Sequence, residues 1–183
     1  GGFSRYAVDA EWHIPHFEKM GYDNGQLISL YAQAFRKKPL ALYRETVEKT
    51  ISFLTTELSS PEGGFYAALD ADSLTQNDKL VEGTFYVWTL KEIEQLFPDE
   101  YPLVAAFYSI NDNGYWEDGN YVLRRMQTDE AFAKLNDLEL SDLKAKVIRW
   151  NKVLVKKRNK RARPQLDDKI ICSWNAILSS GLL

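Results

Sequence analysis

Apolar residues recur at three- and four-residue steps along much of the chain, which is the pattern of amphipathic helices. The first such segment runs from Tyr22 to Lys38, and the second runs from Leu40 to Leu58. Only a few residues around Pro39 connect them, so they are predicted to form an antiparallel helical hairpin. Further helices are predicted over residues 89–97, 99–108, 128–135, 140–157 and 168–183.

Two short segments depart from this helical pattern. Residues 65–69 and 84–88 are rich in aromatic and β-branched side chains, so we predict a small antiparallel β-hairpin inserted among the helices. Between them, residues 70–78 form a long polar connection that carries three acids. Residues 1–21 show no period and are predicted to form an ordered loop. The predicted fold class is mainly α.

The composition is that of a folded protein. The chain has 183 residues, of which 45% are hydrophobic and 27% are charged, and this excludes disordered and collagen-like classes. Five Trp, ten Tyr and nine Phe can supply a core or a groove that stacks flat ligands. No apolar run approaches the ~20 residues that cross a bilayer. Without a signal segment, and with Cys172 as the single cysteine, the expected location is the cytoplasm and not a membrane.

Charge is distributed unevenly along the chain. Residues 1–142 contain 12 Lys/Arg and 24 Asp/Glu, whereas residues 143–166 contain ten Lys/Arg and no acid. A basic run of this kind can bind nucleic acid. It also has apolar residues at helical spacing, namely Leu140, Leu143, Val147, Trp150 and Leu154. Because no recognition motif accompanies the run, we favour an amphipathic helix with a solvated basic face over a nucleic-acid surface.

Two candidate metal sites fail on their spacing. His13, His16 and Glu18 lie close in sequence, but Pro15 interrupts helical geometry and there is no third His and no nearby Cys. The acids from Asp70 onward begin like a calcium loop, yet Leu74 and the residue after it stand where such a loop needs Asp or Asn and then Gly. We predict neither a metal nor a cofactor.

Acidic residues beside aromatic ones suggest chemistry on sugars. Glycoside hydrolysis uses two carboxyl groups, one as acid and one as base or nucleophile, held ~5 to 9.5 Å apart. Asp70 and Asp72 lie near Tyr66 and Trp88, whose rings could stack on a sugar. The alternative is that these acids are turn formers in a loop flanked by glycines.

A charged segment precedes the last predicted helix. Asp167 or Asp168 is expected to cap that helix, and the other to point into a central cavity with Trp174 and Asn175. The sequence contains no phosphate-binding glycine loop, no Gly-x-Ser-x-Gly elbow and no zinc Cys/His set, which removes kinase, serine hydrolase and zinc-enzyme hypotheses.

Read in order, several short motifs resemble the thioredoxin-domain-containing, spermatogenesis-associated protein family. They are GGFSRY at 1–6, PHFEKM at 15–20, YDN at 22–24, EGGFY at 62–66, DADS at 70–73, FYVW at 85–88, RP at 163–164, DDK at 167–169 and SWN at 173–175. Gly21 and Gly25 stand where that family more often has a larger apolar residue and Ala, so the helix start is expected to be slightly loosened.

The resemblance implies a thioredoxin-like N-terminal domain followed by an (α/α)6 toroid similar to six-hairpin glycosidases and N-acylglucosamine 2-epimerases. Residues 1–183 are expected to be a fragment of that one toroid domain, without the thioredoxin-like domain and the later hairpins. The resemblance places a group of shared residues around the central cavity: His16, Glu18, Asp23, Asp70, Asp72, Asp168, Lys169, Trp174 and Asn175.

The expected activity is therefore carbohydrate-related. In a hydrolase, a pair drawn from Asp70, Asp72 and Asp168 would carry out acid/base chemistry in a cavity lined by Tyr66, Trp88 and Trp174. His16 and Glu18 would tune the site or bind the substrate. In an epimerase, His16 would instead shuttle the proton. The alternative is a non-catalytic module, a binding or scaffolding surface whose partner is the thioredoxin-like domain.

Overall fold

The computed structural model describes residues 1–75 and 77–183. Seven α-helices occur in these ranges: α1 (Gly21–Lys37), α2 (Ala41–Phe53), α3 (Leu90–Leu96), α4 (Tyr101–Phe107), α5 (Asp129–Leu135), α6 (Leu140–Arg158) and α7 (Cys172–Leu182). The strands are short: β1 (Lys19–Met20), β2 (Ala68–Leu69), β3 (Asp72–Leu74), β4 (Leu80–Glu82), β5 (Trp88–Thr89), β6 (Asn120–Tyr121) and β7 (Leu166–Asp167). The described chain is about 47% helical, which confirms a helix-dominated fold.

The chain divides into two compact units. The first comprises Gly1–Ala7, Pro15–Gly83 and Pro164–Leu183, and the second comprises Val8–Ile14 and Thr84–Arg163. Within the first unit, α1 packs against α2, and a π-helical turn at Leu54–Leu58 extends α2. The helical hairpin predicted from the sequence is therefore confirmed.

Helix α1 also packs along α7, and glycines allow the two helices to approach closely. A Cβ atom on Gly25 would lie 2.8 Å from the Cα of Leu178, and one on Gly181 would lie 2.2 Å from the carbonyl oxygen of Gly25. The missing side chain of Gly25 is what admits α7, while a slightly loosened helix start at Gly21 and Gly25 stays a prediction. Buried Ile28 and Leu178 form part of the core that follows from this contact.

The strands do not pair as the sequence predicted. Strand β2 pairs with β1 and β7 in a three-stranded antiparallel sheet, while β5 pairs with β6. The predicted hairpin between 65–69 and 84–88 is therefore wrong. Instead, β3, which lies within the predicted polar connection at 70–78, pairs antiparallel with β4 just after it. Strands of two or three residues are too short to display a period, so aromatic content alone could not identify their partners.

The second unit has an aromatic core beneath α6. Trp150 is completely buried, and its Nε1 donates to Glu100 at 3.0 Å. Glu100 also accepts from Lys146 at 2.6 Å and from Arg149, and the Lys146 and Trp150 hydrogen bonds hold the pKa of the Glu100 carboxyl below its usual range. The basic helix predicted at 140–157 is thus held against the second unit by its apolar stripe and by the Glu100 carboxylate, which pairs with basic residues of the helix.

Helix α3, which the sequence predicts from residue 89, begins with a capping box. The Thr89 hydroxyl accepts from the backbone N–H of Glu92, and the Glu92 carboxylate accepts from the backbone N–H of Thr89. Among the described helices, none is both long and apolar enough to span a bilayer.

Candidate functional site

The three-stranded sheet of the first unit brings distant chain segments together. Its register places Met20 opposite Ala68 and Ala68 opposite Asp167. Side chains alternate between the two faces of a strand, so the residues two positions before Met20 and after Ala68 continue the same face. Those residues are Glu18 and Asp70. On the other face, Leu69 is buried in the hydrophobic core of α1 and α7.

An open cavity of about 380 Å³ lies over this face of the sheet. Its lining consists of Glu18, Met20, Ala68, Asp70, Gln165, Leu166, Asp167, Asp168 and Lys169. Four of the residues predicted from the sequence therefore line one cavity, namely Glu18, Asp70, Asp168 and Lys169. Antiparallel pairing of strands that are far apart in sequence is the cause of this convergence.

The acids of the cavity differ in their partners. Asp167 accepts from Lys169 Nζ at 2.7 Å, which lowers the pKa of the Asp167 carboxyl. Glu18 forms an ion pair with Arg5 at 3.0 Å. Within residues 1–75 and 77–183, Asp70 and Asp168 have no ion pair, and the Asp70 carboxylate accepts from the backbone N–H of Asp72 at 3.3 Å. Asp70 and Asp168 are therefore the two carboxylates with oxygens available to a ligand.

The helix-cap role predicted for Asp167 or Asp168 is wrong. Pairing with β2 holds Asp167 in strand β7, and α7 begins later, with Ile171 at its N-cap and no side-chain cap hydrogen bond. This leaves Asp168 exposed between the strand and the helix, at the cavity.

Asp72 and Asp23 do not line the cavity. Asp72 lies in β3 opposite Glu82, where its side chain is half-buried. Asp23 lies in the first turn of α1, and burial raises the pKa of its carboxyl, with Arg5 opposing the rise and Glu18 adding to it. In the described part of the chain, no group of three or more His, Cys, Asp or Glu residues could hold a metal ion.

His16 also lies outside the cavity lining. Its ring stacks on Tyr6 with 4.8 Å between ring centroids, and its backbone N–H donates to the Tyr6 carbonyl at 2.8 Å. The Nδ1 atom is buried and, among the described residues, has no hydrogen-bond partner. The structure thus places His16 in the packing of the N-terminal segment.

The remaining predicted residues make structural contacts. Asn175 accepts from the backbone N–H of Phe65 at 2.7 Å and donates to the Phe65 carbonyl at 2.9 Å, so it joins α7 to the segment before β2. Trp174 meets Tyr22 edge to face and packs beside the cavity residues Met20 and Ala68.

Tyr66 and Trp88 are packing residues in separate units. Tyr66 lies against the hydrophobic core of the first unit. Trp88 is 3% exposed in the core of the second unit, with the Arg161 guanidinium 4.2 Å above its ring.

Sequence reasoning did not identify Gln165 and Met20 as cavity residues. The backbone carbonyl of Gln165 accepts from the Asp70 N–H at 2.9 Å, which extends the pairing of β2 with β7 and places Gln165 at the cavity. The signal that could have revealed both residues is the alternation of side chains along β1 and β7, which is invisible in strands of two residues.

The chain is similar in sequence to animal proteins of greater length. The chain is 35% identical to spermatogenesis-associated protein 20 of Mus musculus over 98% of its length, and 33% identical to the Homo sapiens protein of the same name over the same share. An uncharacterised protein of Caenorhabditis elegans is 36% identical over the whole chain. The chain spans 25% to 28% of the length of these relatives. No family model matches it.

Proposed function

We propose that the chain contributes to a carbohydrate-binding, glycosidase-like site in a longer protein, and that it forms part of an (α/α)6 toroid there. The observation that carries the proposal is the cavity over β1, β2 and β7, which holds two carboxylates that have no cationic partner in the described part of the chain. The helical hairpin of α1 and α2, with α7 packed alongside α1, is compatible with the hairpin units of a toroid.

Asp70 and Asp168 supply the groups that glycoside hydrolysis requires. One carboxyl protonates the leaving oxygen of the sugar, and the other acts as base or nucleophile. Asp167 is held ionised by Lys169, and Glu18 is paired with Arg5, so these two residues are suited to accepting hydrogen bonds from sugar hydroxyls. Hydrolysis is favoured over epimerisation here, because the epimerase hypothesis needs His16 and that residue does not line the cavity.

The proposal is tested by measuring sugar binding and hydrolysis. A panel of mono- and oligosaccharides is titrated against the wild-type protein by saturation-transfer NMR, and the binding sugars are then tested for hydrolysis. The variants are Asp70→Asn and Asp168→Asn, with Asp112→Asn, an exposed acid of the second unit, as the matched control. We expect either cavity variant to lower hydrolysis by about 10²- to 10⁴-fold, as loss of an acid or base does, while Asp112→Asn stays within twofold.

Two results would contradict the proposal. The first is an absence of sugar binding by the wild-type protein, which would favour a scaffold that serves a thioredoxin-like domain. The packing roles of Asn175 and Tyr66 agree with that second candidate. The second result is hydrolysis that survives both cavity substitutions.

A further inference from the structure

Three arginines of the second unit gather on two aromatic rings. The guanidinium groups of Arg158 and Arg163 lie 5.0 and 5.6 Å from the centre of the Phe85 ring, and that of Arg161 lies 4.2 Å from the Trp88 ring. These distances are those of cation–π contacts. The arginines belong to a segment, residues 156–163, that contains six Lys/Arg and no acid.

Both terminal nitrogens of Arg161 form hydrogen bonds within the protein. One of its terminal nitrogens donates to the carbonyls of Thr84, Phe85 and Val87 at 3.2, 3.1 and 2.6 Å, and the other forms an ion pair with Glu92 at 3.0 Å. This arginine therefore holds the segment before α3 in place, and its charge is balanced by a carboxylate.

Arg158 differs from Arg161 because no carboxylate among the described residues balances its charge. The side chain is half-buried at the end of α6, and within the described chain it has no carboxylate partner. Among residues 1–75 and 77–183, its buried Nε has no hydrogen-bond partner, and one Nη donates to the amide oxygen of Asn159 at 3.5 Å. A guanidinium presents five N–H donors in a plane, so most of the donors of Arg158 have no acceptor in these contacts.

The Tyr86 hydroxyl lies in the electrostatic neighbourhood of Arg158. Burial raises the pKa of Tyr86 to about 12, and the charge of Arg158 opposes that rise. Burial in turn lowers the pKa of Arg158, the charge of Tyr86 opposes this, and Arg161 adds to it. Because its pKa is raised, Tyr86 is uncharged near neutral pH and does not neutralise Arg158.

We propose that Arg158 binds an oxyanion group, a phosphate or a carboxylate, of a small ligand. A half-buried charge without a partner is costly to the fold, and a planar guanidinium fork matches the two oxygens of such a group. The positive segment at 156–163 raises the local concentration of anions around it. This site lies in the second unit and is independent of the carbohydrate proposal.

The test uses inorganic phosphate and acetate as probes, with chloride at equal ionic strength as the reference. Binding is followed in every variant by the thermal midpoint of unfolding, and in the wild type and Lys156→Gln also by the NMR shift of the Arg158 side-chain Nε–H. The variant is Arg158→Gln, and the matched control is Lys156→Gln, which removes the same charge from an exposed position of the same helix. The Arg158→Lys variant keeps the charge and removes the fork.

We expect phosphate, acetate or both to move the Nε–H signal of the wild-type protein beyond the effect of chloride, and the more effective probe identifies the ligand class. Arg158→Gln should weaken binding at least tenfold and Arg158→Lys at least threefold, while Lys156→Gln stays within twofold. If Arg158→Gln does not fold, Arg158→Lys decides.

Equal shifts with chloride would overturn the proposal, because they would show screening alone. Equal weakening by Arg158→Gln and Lys156→Gln would also overturn it, because it would show a diffuse basic surface of the kind that binds nucleic acid.

Discussion

The contact between α1 and α7 determines whether Gly25→Ala raises or lowers the free energy of unfolding. In an isolated helix, Gly25→Ala would stabilise by about 1 kcal/mol, because Ala has the higher helix propensity. In the folded chain, the new Cβ would lie 2.8 Å from the Cα and 3.2 Å from the backbone nitrogen of Leu178, where ordinary contacts begin at 3.4 Å. The neighbouring atoms are backbone, so no rotamer change can relieve the clash and α7 must move.

The magnitude follows from these two opposing effects. The shortfall of the closest contact is about 0.6 Å, and overpacking a tight interface of this kind costs about 1–3 kcal/mol. After the gain in helix propensity is subtracted, we expect Gly25→Ala to lower the free energy of unfolding by about 1 kcal/mol. Trimming the side chain with Leu178→Ala should not rescue the variant, because the closest atom is the Cα.

The assay is urea denaturation followed by tryptophan fluorescence, to which Trp174 of α7 contributes. Gln33→Ala and Gln33→Gly, at an exposed position of α1, calibrate the Ala–Gly difference in helix propensity where nothing packs closely. If Gly25→Ala is more stable than the wild type by the difference that Gln33 shows, the close approach of the two helices is refuted.

Two further predictions concern polar contacts. Asn175→Ala should lower the free energy of unfolding by about 2 kcal/mol, and Asn175→Asp should lower it by more, because the carboxylate would face the carbonyls of Phe65 and Ile171. Urea denaturation measures both effects, and unchanged stability would favour a ligand-binding role for Asn175 instead. The pKa of Glu100 lies below its usual 4.5 in the folded state, so its stabilisation is complete above that pH and is lost as the pH falls through the folded-state value. Acid unfolding should therefore be steeper in the wild type than in Glu100→Gln, and identical slopes would contradict this.

The helices could be predicted from the sequence because their signal is local. The apolar stripes from Tyr22 to Lys38 and from Leu140 to Lys157 each determined an observed helix to within a residue or so, and the capping box of α3 needed only Thr89 and Glu92. Repeats of 3.6 residues over several turns give a strong pattern, and a cap gives a definite boundary.

The site was predictable only in part, because it depends on strand pairing between distant segments. The carboxyl groups of Asp70 and Asp168 indicated acid/base chemistry from the sequence. Nothing near Ala68 in the sequence, however, shows that this residue pairs with Met20 and Asp167. Trp88 shows the opposite difficulty. An aromatic residue suited to a sugar and one suited to a core look the same in a sequence, and the structure buries this one.

The arrangement of the three-stranded sheet determines the order in which the chain can fold. Its strands begin at Lys19, Ala68 and Leu166, and α1 finds its partner α7 only after residue 172. The second unit draws most of its residues from the continuous stretch Thr84–Arg163. During synthesis from the N-terminus, that stretch is complete before β7 leaves the ribosome, so the cavity forms after it can fold and depends on contacts of high sequence separation.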